Sequence, residues 1–232
     1  YARFKPTQFM SDLYDSSIDS RYQAYWRDTW YATTATDKLS VGDTAFYLPK
    51  DAWSKAQIDS KNYKVFNPEF SESLGSDYST VSNRVFLHLK KFDDVKRATM
   101  NEEKGTRDWV CFRAAEAYLL AGEAYYRAGD VDNALKYINT LRRNCAIEGK
   151  EKEMEISASD LSVDFILDER ARELCGEGKR WYDLKRLGKL IERTDLHNKK
   201  AHGNMKPFHE LRPIPQSQID RCTNVYPQNP QW

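Results

Sequence analysis

The sequence predicts a mainly α protein: an αα-hairpin and further helices in the second half, preceded by a loop-rich aromatic segment with little β. Three observations point there. Apolar residues recur at spacings of three and four from Val131 to Leu141 and again after residue 162. Gly129-Asp130 supplies a helix stop and the next helix start in two residues. The 30 Phe, Trp and Tyr residues are uneven, with 18 of them in residues 1–92 among scattered Gly, Pro, Ser and Asp. Composition excludes several classes. A net charge of +1 offers no electrostatic footprint for nucleic acid or anionic membrane, and no apolar run approaches the length of a membrane-spanning helix. Aromatic content of 13% is too high for a disordered chain.

The chain reads as three stretches: a loop-rich aromatic segment over 1–108, a helical core over 109–193, and a Pro-containing tail over 194–232. In the first, Arg21–Tyr31 alternates so that Tyr22, Ala24, Trp26, Asp28 and Trp30 share one face of a strand. Val85–Phe92 is a second strand candidate, and Gly42, Pro49, Pro68 and Gly75 mark loops. In the second, Val110–Ala128 is rich in helix-forming Ala and Leu, and Val131–Arg143 follows across the short turn as its antiparallel partner. Ala117, Ala121 and Gly122 let the two backbones approach. The pair resembles a tetratricopeptide unit, although no second copy lies at a 34-residue offset. Ser159 or Ser162 caps a third helix with Val163, Ile166, Leu167, Ala171 and Leu174 inward. Trp181, Leu184, Leu187 and Ile191 mark a fourth, and a short helical turn fits at Pro215–Arg221.

Charge is segregated: residues 148–177 carry a net −6 and residues 179–206 a net +6. Helical phase puts Arg170 on the inner face, where it needs a carboxylate from Glu173, Glu177 or Asp183. Glu169, Arg170, Glu173, Glu177, Arg180 and Asp183 are therefore read as a structural ion-pair network. The competing reading takes Asp168, Glu169, Glu173 and Glu177 as glycosidase carboxylates. That chemistry needs one carboxyl with a raised pKa, and the neighbouring Arg and Lys residues oppose it.

The same residues carry a signature. Phe112–Ala124 with Gly129-Asp130, Ala134 and Ile138–Arg142 resembles the core helix pair of the SusD/RagB family. Ile166–Leu174, Glu177–Leu184 and Arg186–Gly188 resemble that family's most distinctive stretch, Pro213–Pro215 with Gln228–Pro230 its ending, and Asp19-Ser-Arg21 an Asp-x-Arg motif. The resemblance implies a SusD-like helical fold. It also implies a cell-surface outer-membrane lipoprotein of Bacteroidetes that captures glycans for a SusC-like TonB-dependent transporter without hydrolysing them. Tyr1 is not an initiator Met, and the resemblance implies a protein roughly twice this length of which this chain is the C-terminal portion, with any lipid anchor outside it. Glycan recognition uses flat rings against sugar C–H groups, and the first third offers Tyr25, Trp26, Trp30, Tyr31, Tyr47 and Trp53. Core packing is the competing role for each ring. A helical protein-interaction scaffold with no sugar affinity is the alternative to glycan capture.

Other signals are weak. Gly176-Glu-Gly178-Lys179 lacks the first Gly and the Ser/Thr of a phosphate loop. His88, His197, His202 and His209 lack metal-protease spacing, and three of them with Cys222 match no zinc pattern. No cofactor or metal is expected. Antiparallel packing of the hairpin brings Cys111 and Cys145 to one end, where a disulfide is geometrically open. Buried free thiols are the favoured state of the four cysteines.

Overall fold

The computed structural model describes residues 5–67, 86–99, 102 and 105–232, and is mainly helical. Pro68, Gly75 and Val85 lie outside the described residues. The chain divides into two compact units, residues 1–177 and 178–232.

The first unit is built on the hairpin α4 (Ala114–Arg127) and α5 (Val131–Asn144). Its turn is set locally. Gly129 takes φ +84, Asp130 N–H donates to Tyr125 C=O at 2.9 Å, and Gly129 N–H donates to Tyr126 C=O at 3.0 Å. This left-handed closure satisfies the last carbonyls of α4, and a residue with a Cβ adopts it only with strain. Asp130 then caps α5, accepting from Asn133 N–H at 3.0 Å. Gly122 is the contact point of the pair: a Cβ there would sit 2.7 Å from Ile138 Cγ1. The fully buried Ile138 and Ala134 pack with Ile166 of α6 (Val163–Glu173), and Leu119 and Leu141 with Leu174. Each large apolar side chain so enclosed contributes about 1.5–3 kcal/mol over an exposed one. Ser162, rather than Ser159, caps α6, accepting from Phe165 N–H at 3.0 Å.

Helix α4 starts at Ala114, not Val110. Arg113 is extended (φ −148, ψ 162), and its guanidinium reaches Glu173 at the end of α6 and Glu177 beyond it.

The aromatic segment holds α1 (Gln8–Asp12), α2 (Arg21–Tyr25), β1 (Trp26–Arg27), β2 (Thr29–Tyr31), β3 (Thr44–Tyr47), α3 (Lys55–Asp59), β4 (Lys64–Val65) and β5 (His88–Leu89). Strands β1 and β5 pair antiparallel, with Trp26 opposite Leu89. Strands β2 and β3 pair antiparallel with a register shift between Trp30 and Tyr31, and β4 joins β3 in parallel.

Two strand expectations are corrected. Arg21–Tyr31 is not one strand, because its first five residues form α2. Tyr22 and Trp26 are four apart, a spacing that puts them on one side of a helix as well as of a strand. Tertiary packing against Tyr14 selects the helix. Among the described residues 86–92 only His88-Leu89 is strand, and Lys90–Phe92 turns as a 3-10 helix.

In the second unit the expected fourth helix is two: α7 (Arg180–Arg186) and α8 (Leu190–His197). Gly188, at φ +66, separates them. A 3-10 turn spans Pro207–Glu210, and α9 (Gln216–Ile219) follows with Pro215 at the N-cap rather than inside the first turn. The two tail motifs meet: the Gln228 amide accepts from Ile214 N–H at 2.8 Å and donates to Ile214 C=O at 2.9 Å. Asn229 donates to Arg212 C=O at 2.7 Å.

Candidate functional site

An enclosed ion cluster joins the two ends of the first unit. Asp19 grips Arg21 from one side, with Nε–Oδ1 at 2.9 Å and Nη2–Oδ2 at 2.7 Å. Arg21 Nη1 donates to Glu169 Oε1 at 2.8 Å and Glu173 Oε2 at 3.0 Å, and all four side chains are under 5% exposed. The other Glu169 oxygen accepts from Arg142 of α5 and from Arg172 at 2.6 Å. Arg113 bonds both Glu173 and Glu177, and Lys91 Nζ donates to Glu177 at 2.6 Å.

Backbone bonds fix the approach. Ser20 N–H donates to Cys145 C=O at 2.9 Å, Ile147 N–H to Ile18 C=O at 2.8 Å, and Tyr14 Oη to Arg172 C=O at 2.8 Å. The Asp-x-Arg motif thus plugs the end of α5 onto the inner face of α6.

Electrostatics follow from this enclosure. Burial alone would push the Glu169 carboxyl up, but Arg21, Arg172 and Arg142 outweigh it and hold it well below the usual carboxylate range. Glu177 is likewise held low, with burial opposed by hydrogen bonds from Arg113 and Lys91. A glycosidase acid needs the opposite shift. Arg170 sits on the inner face of α6, 3.8 Å from Glu116 of α4, a carboxylate the sequence pattern had not singled out. In the second unit Asp183 pairs with Arg186 at 3.1 Å, and Arg180 opens α7.

Cys111 and Cys145 are not joined. Cys111 is exposed in the extended stretch before α4. The Cys145 thiol faces Glu173 Oε2 at 3.5 Å, and burial pushes it up to about 12. Cys145 thus belongs to the enclosed ion cluster, whereas Cys111 is exposed. Among the described residues no group of three His, Cys, Asp or Glu side chains is placed to hold a metal ion.

The rings proposed for sugar contact are scattered. Trp26 is 4% exposed in a core with Tyr14 and Tyr22, which removes it from any binding face. Tyr25 packs against the same core with Lys91 Nζ 4.3 Å above its ring. Trp30 stacks on Phe46 at 4.6 Å, and Phe46 meets Phe66 edge-on. Tyr47, next along β3, points to the other face and meets Trp53 at 5.3 Å. Asn67 fixes the Trp53 backbone by two 2.9 Å hydrogen bonds, and Lys61 lies 5.5 Å over the indole. Tyr31 is 61% exposed. Tyr31, Tyr47 and Trp53 thus remain as ring surface that water reaches, with Trp30 half-covered.

An αα-hairpin sealed to a third helix by an enclosed Arg–carboxylate cluster, with aromatic strands and loops outside it, defines a helical scaffold. The model of the SusD family matches residues 1–232, and the chain belongs to that family. It is 34% identical over 212 residues to SusD-like protein P38 of Formosa agariphila, covering 81% of this chain and 41% of that protein. It is 34% identical over 113 residues to SusD-like protein P25 of the same organism, covering 47% and 21%. To the starch-binding protein SusD of Bacteroides thetaiotaomicron it is 31% identical over 122 residues, covering 51% and 20%. The matched stretches thus span less than half the length of these relatives.

Proposed function

We propose that the protein of which this chain is part captures glycans at the bacterial outer surface and passes them to a SusC-like TonB-dependent transporter, without hydrolysing them. Family membership and the starch-binding name of one relative support this reading. The observation that carries it is the placing of Tyr31, Tyr47 and Trp53 on short strands and loops outside the core, with Trp53 held at its backbone by Asn67. A ring fixed at its backbone loses little entropy on stacking against a sugar. The enclosed carboxylates are structural in this reading, since their charges are spent on arginines. Attachment at the outer membrane is through a lipid anchor outside these residues, and among the described residues no helix is long and apolar enough to cross a membrane.

Native gels cast with soluble polysaccharides test the reading. The full-length protein is expected to be retarded by at least one of them with no release of reducing sugar. Trp53→Ala or Tyr31→Ala should weaken that retardation. Silence against a broad panel, by gel and by titration calorimetry, would replace glycan capture with the protein-interaction scaffold.

A further inference from the structure

Of the six tryptophans, all described, Trp109 is the most open: it is 70% exposed, against 46% for Trp232 and less for the other four. An indole left in water forgoes the gain of burial, and a mobile one would make a poor binding surface. Trp109 is not loosely placed. Its ring lies nearly parallel to Phe92, 14° between planes and 6.1 Å between centroids. Phe92 is itself backed by the main chain, because a Cβ on Gly176 would fall 2.6 Å from its Cε2. Arg107 lies over the same Phe92 ring, its Cζ 5.8 Å from the centroid, with Nη1 donating to Lys91 C=O at 2.7 Å. One nitrogen anchors the guanidinium, and its other donors have no hydrogen-bond partner among the described residues. Asp108, between the two, is exposed and its carboxylate has no partner among the described residues.

We propose that Trp109, Arg107 and Asp108 form a saccharide platform separate from the rings of the β2–β4 sheet. The inference rests on the glycan-capture reading above. An indole backed on one side presents its other face to the C–H groups of a pyranose. Arg107 donates to two neighbouring hydroxyl oxygens as a fork, and Asp108 accepts from a hydroxyl hydrogen. Their opposite charges cancel at the rim, so the platform suits neutral hexose units rather than uronic acids.

The test uses the full-length protein in native gels containing amylopectin, galactomannan, xyloglucan or laminarin. Trp109→Ala should weaken retardation by a polysaccharide that holds the wild type about tenfold, with an unchanged melting temperature, and Trp109→Phe should restore part of it. In parallel, N-bromosuccinimide oxidation read by mass spectrometry should modify Trp109 in the sugar-free protein and spare it when that polysaccharide is present. Retardation of Trp109→Ala within twofold of wild type would overturn the platform while leaving glycan capture standing. Failure of all four polysaccharides to hold the wild type would overturn the platform as a site for neutral hexose units, and silence across the broader panel would remove glycan capture as well. Resistance of Trp109 to oxidation without sugar would also overturn the platform, since other parts of the protein would then cover the ring and the adjoining Val110–Phe112.

Discussion

Replacing Glu169 by Gln removes one charge from the centre of the ion cluster while keeping its shape. Glu169 is fully buried, and its two oxygens meet Arg21, Arg142 and Arg172. Arg21 keeps Asp19 and Glu173 after the change, so the loss falls mainly on Arg142 and Arg172, both nearly buried. Those two keep uncharged partners, the main-chain carbonyls of Met154 and Leu13 and the Phe165 ring that both guanidiniums lie over. Taking one partner from a buried pair costs about 3–5 kcal/mol, because the remaining charge stays desolvated. For a unit the size of residues 1–177, each kcal/mol moves the melting temperature by about 2–4 °C, so a drop of about 6–20 °C is expected at pH 7.

Calorimetry or circular dichroism measures it directly. The pH dependence adds a second handle with a definite sign. The folded Glu169 carboxyl lies below its unfolded value of about 4.3, so the stability it confers is present above that pH. It is lost as pH falls toward the folded value. The gap between wild type and Glu169→Gln should therefore be full above about pH 5 and close on acidification. A melting temperature within about 2 °C of wild type at pH 7, less than a single kcal/mol would produce, would refute the claim that this carboxylate holds α5, α6 and the Asp-x-Arg segment together.

Two further outcomes follow from the geometry. Gly176→Ala places a side chain at φ +77 and 2.6–2.7 Å from Phe92 and Leu89, so strain and overpacking together should cost about 2–4 kcal/mol in denaturant titration; a change below about 0.5 kcal/mol would mean the 86–92 segment does not rest on that glycine. Cys111, which is exposed, should react first with a thiol reagent at pH 8, and Cys145 and Cys175 slowly, since burial pushes them up to about 12 and about 11; equal rates for Cys111→Ser and wild type would contradict that ordering.

The helices were legible where their causes are local. Gly129, Asp130 and the spacing from Val131 to Leu141 specify the hairpin without help from the rest of the chain, and Ser162 three residues before Phe165 starts α6. Gly188 showed in the sequence too, but the apolar pattern of Trp181, Leu184 and Ile191 runs across it as though one helix continued. Ring positions were the least legible part. Trp26 and Tyr31 have the same chemistry, yet one is 4% and the other 61% exposed, and nothing within a few residues of either decides which. The exposure of Trp109 is likewise set by packing and not by its neighbours in sequence.

The sequence by itself determined the helix boundaries at Gly129, a choice of Ser159 or Ser162 for the start of α6, the family signature, and the presence of too many charges on an inner helical face to be left unpaired. Only the tertiary structure decided who pairs with whom. Arg21 lies 148 residues from Glu169, and Arg170 reaches back to Glu116 on another helix. Capping and helical phase act over three or four residues and can be read along the chain. Ion pairing and ring exposure depend on which surfaces meet once the chain has folded, and there the identity of a residue says little without its neighbours.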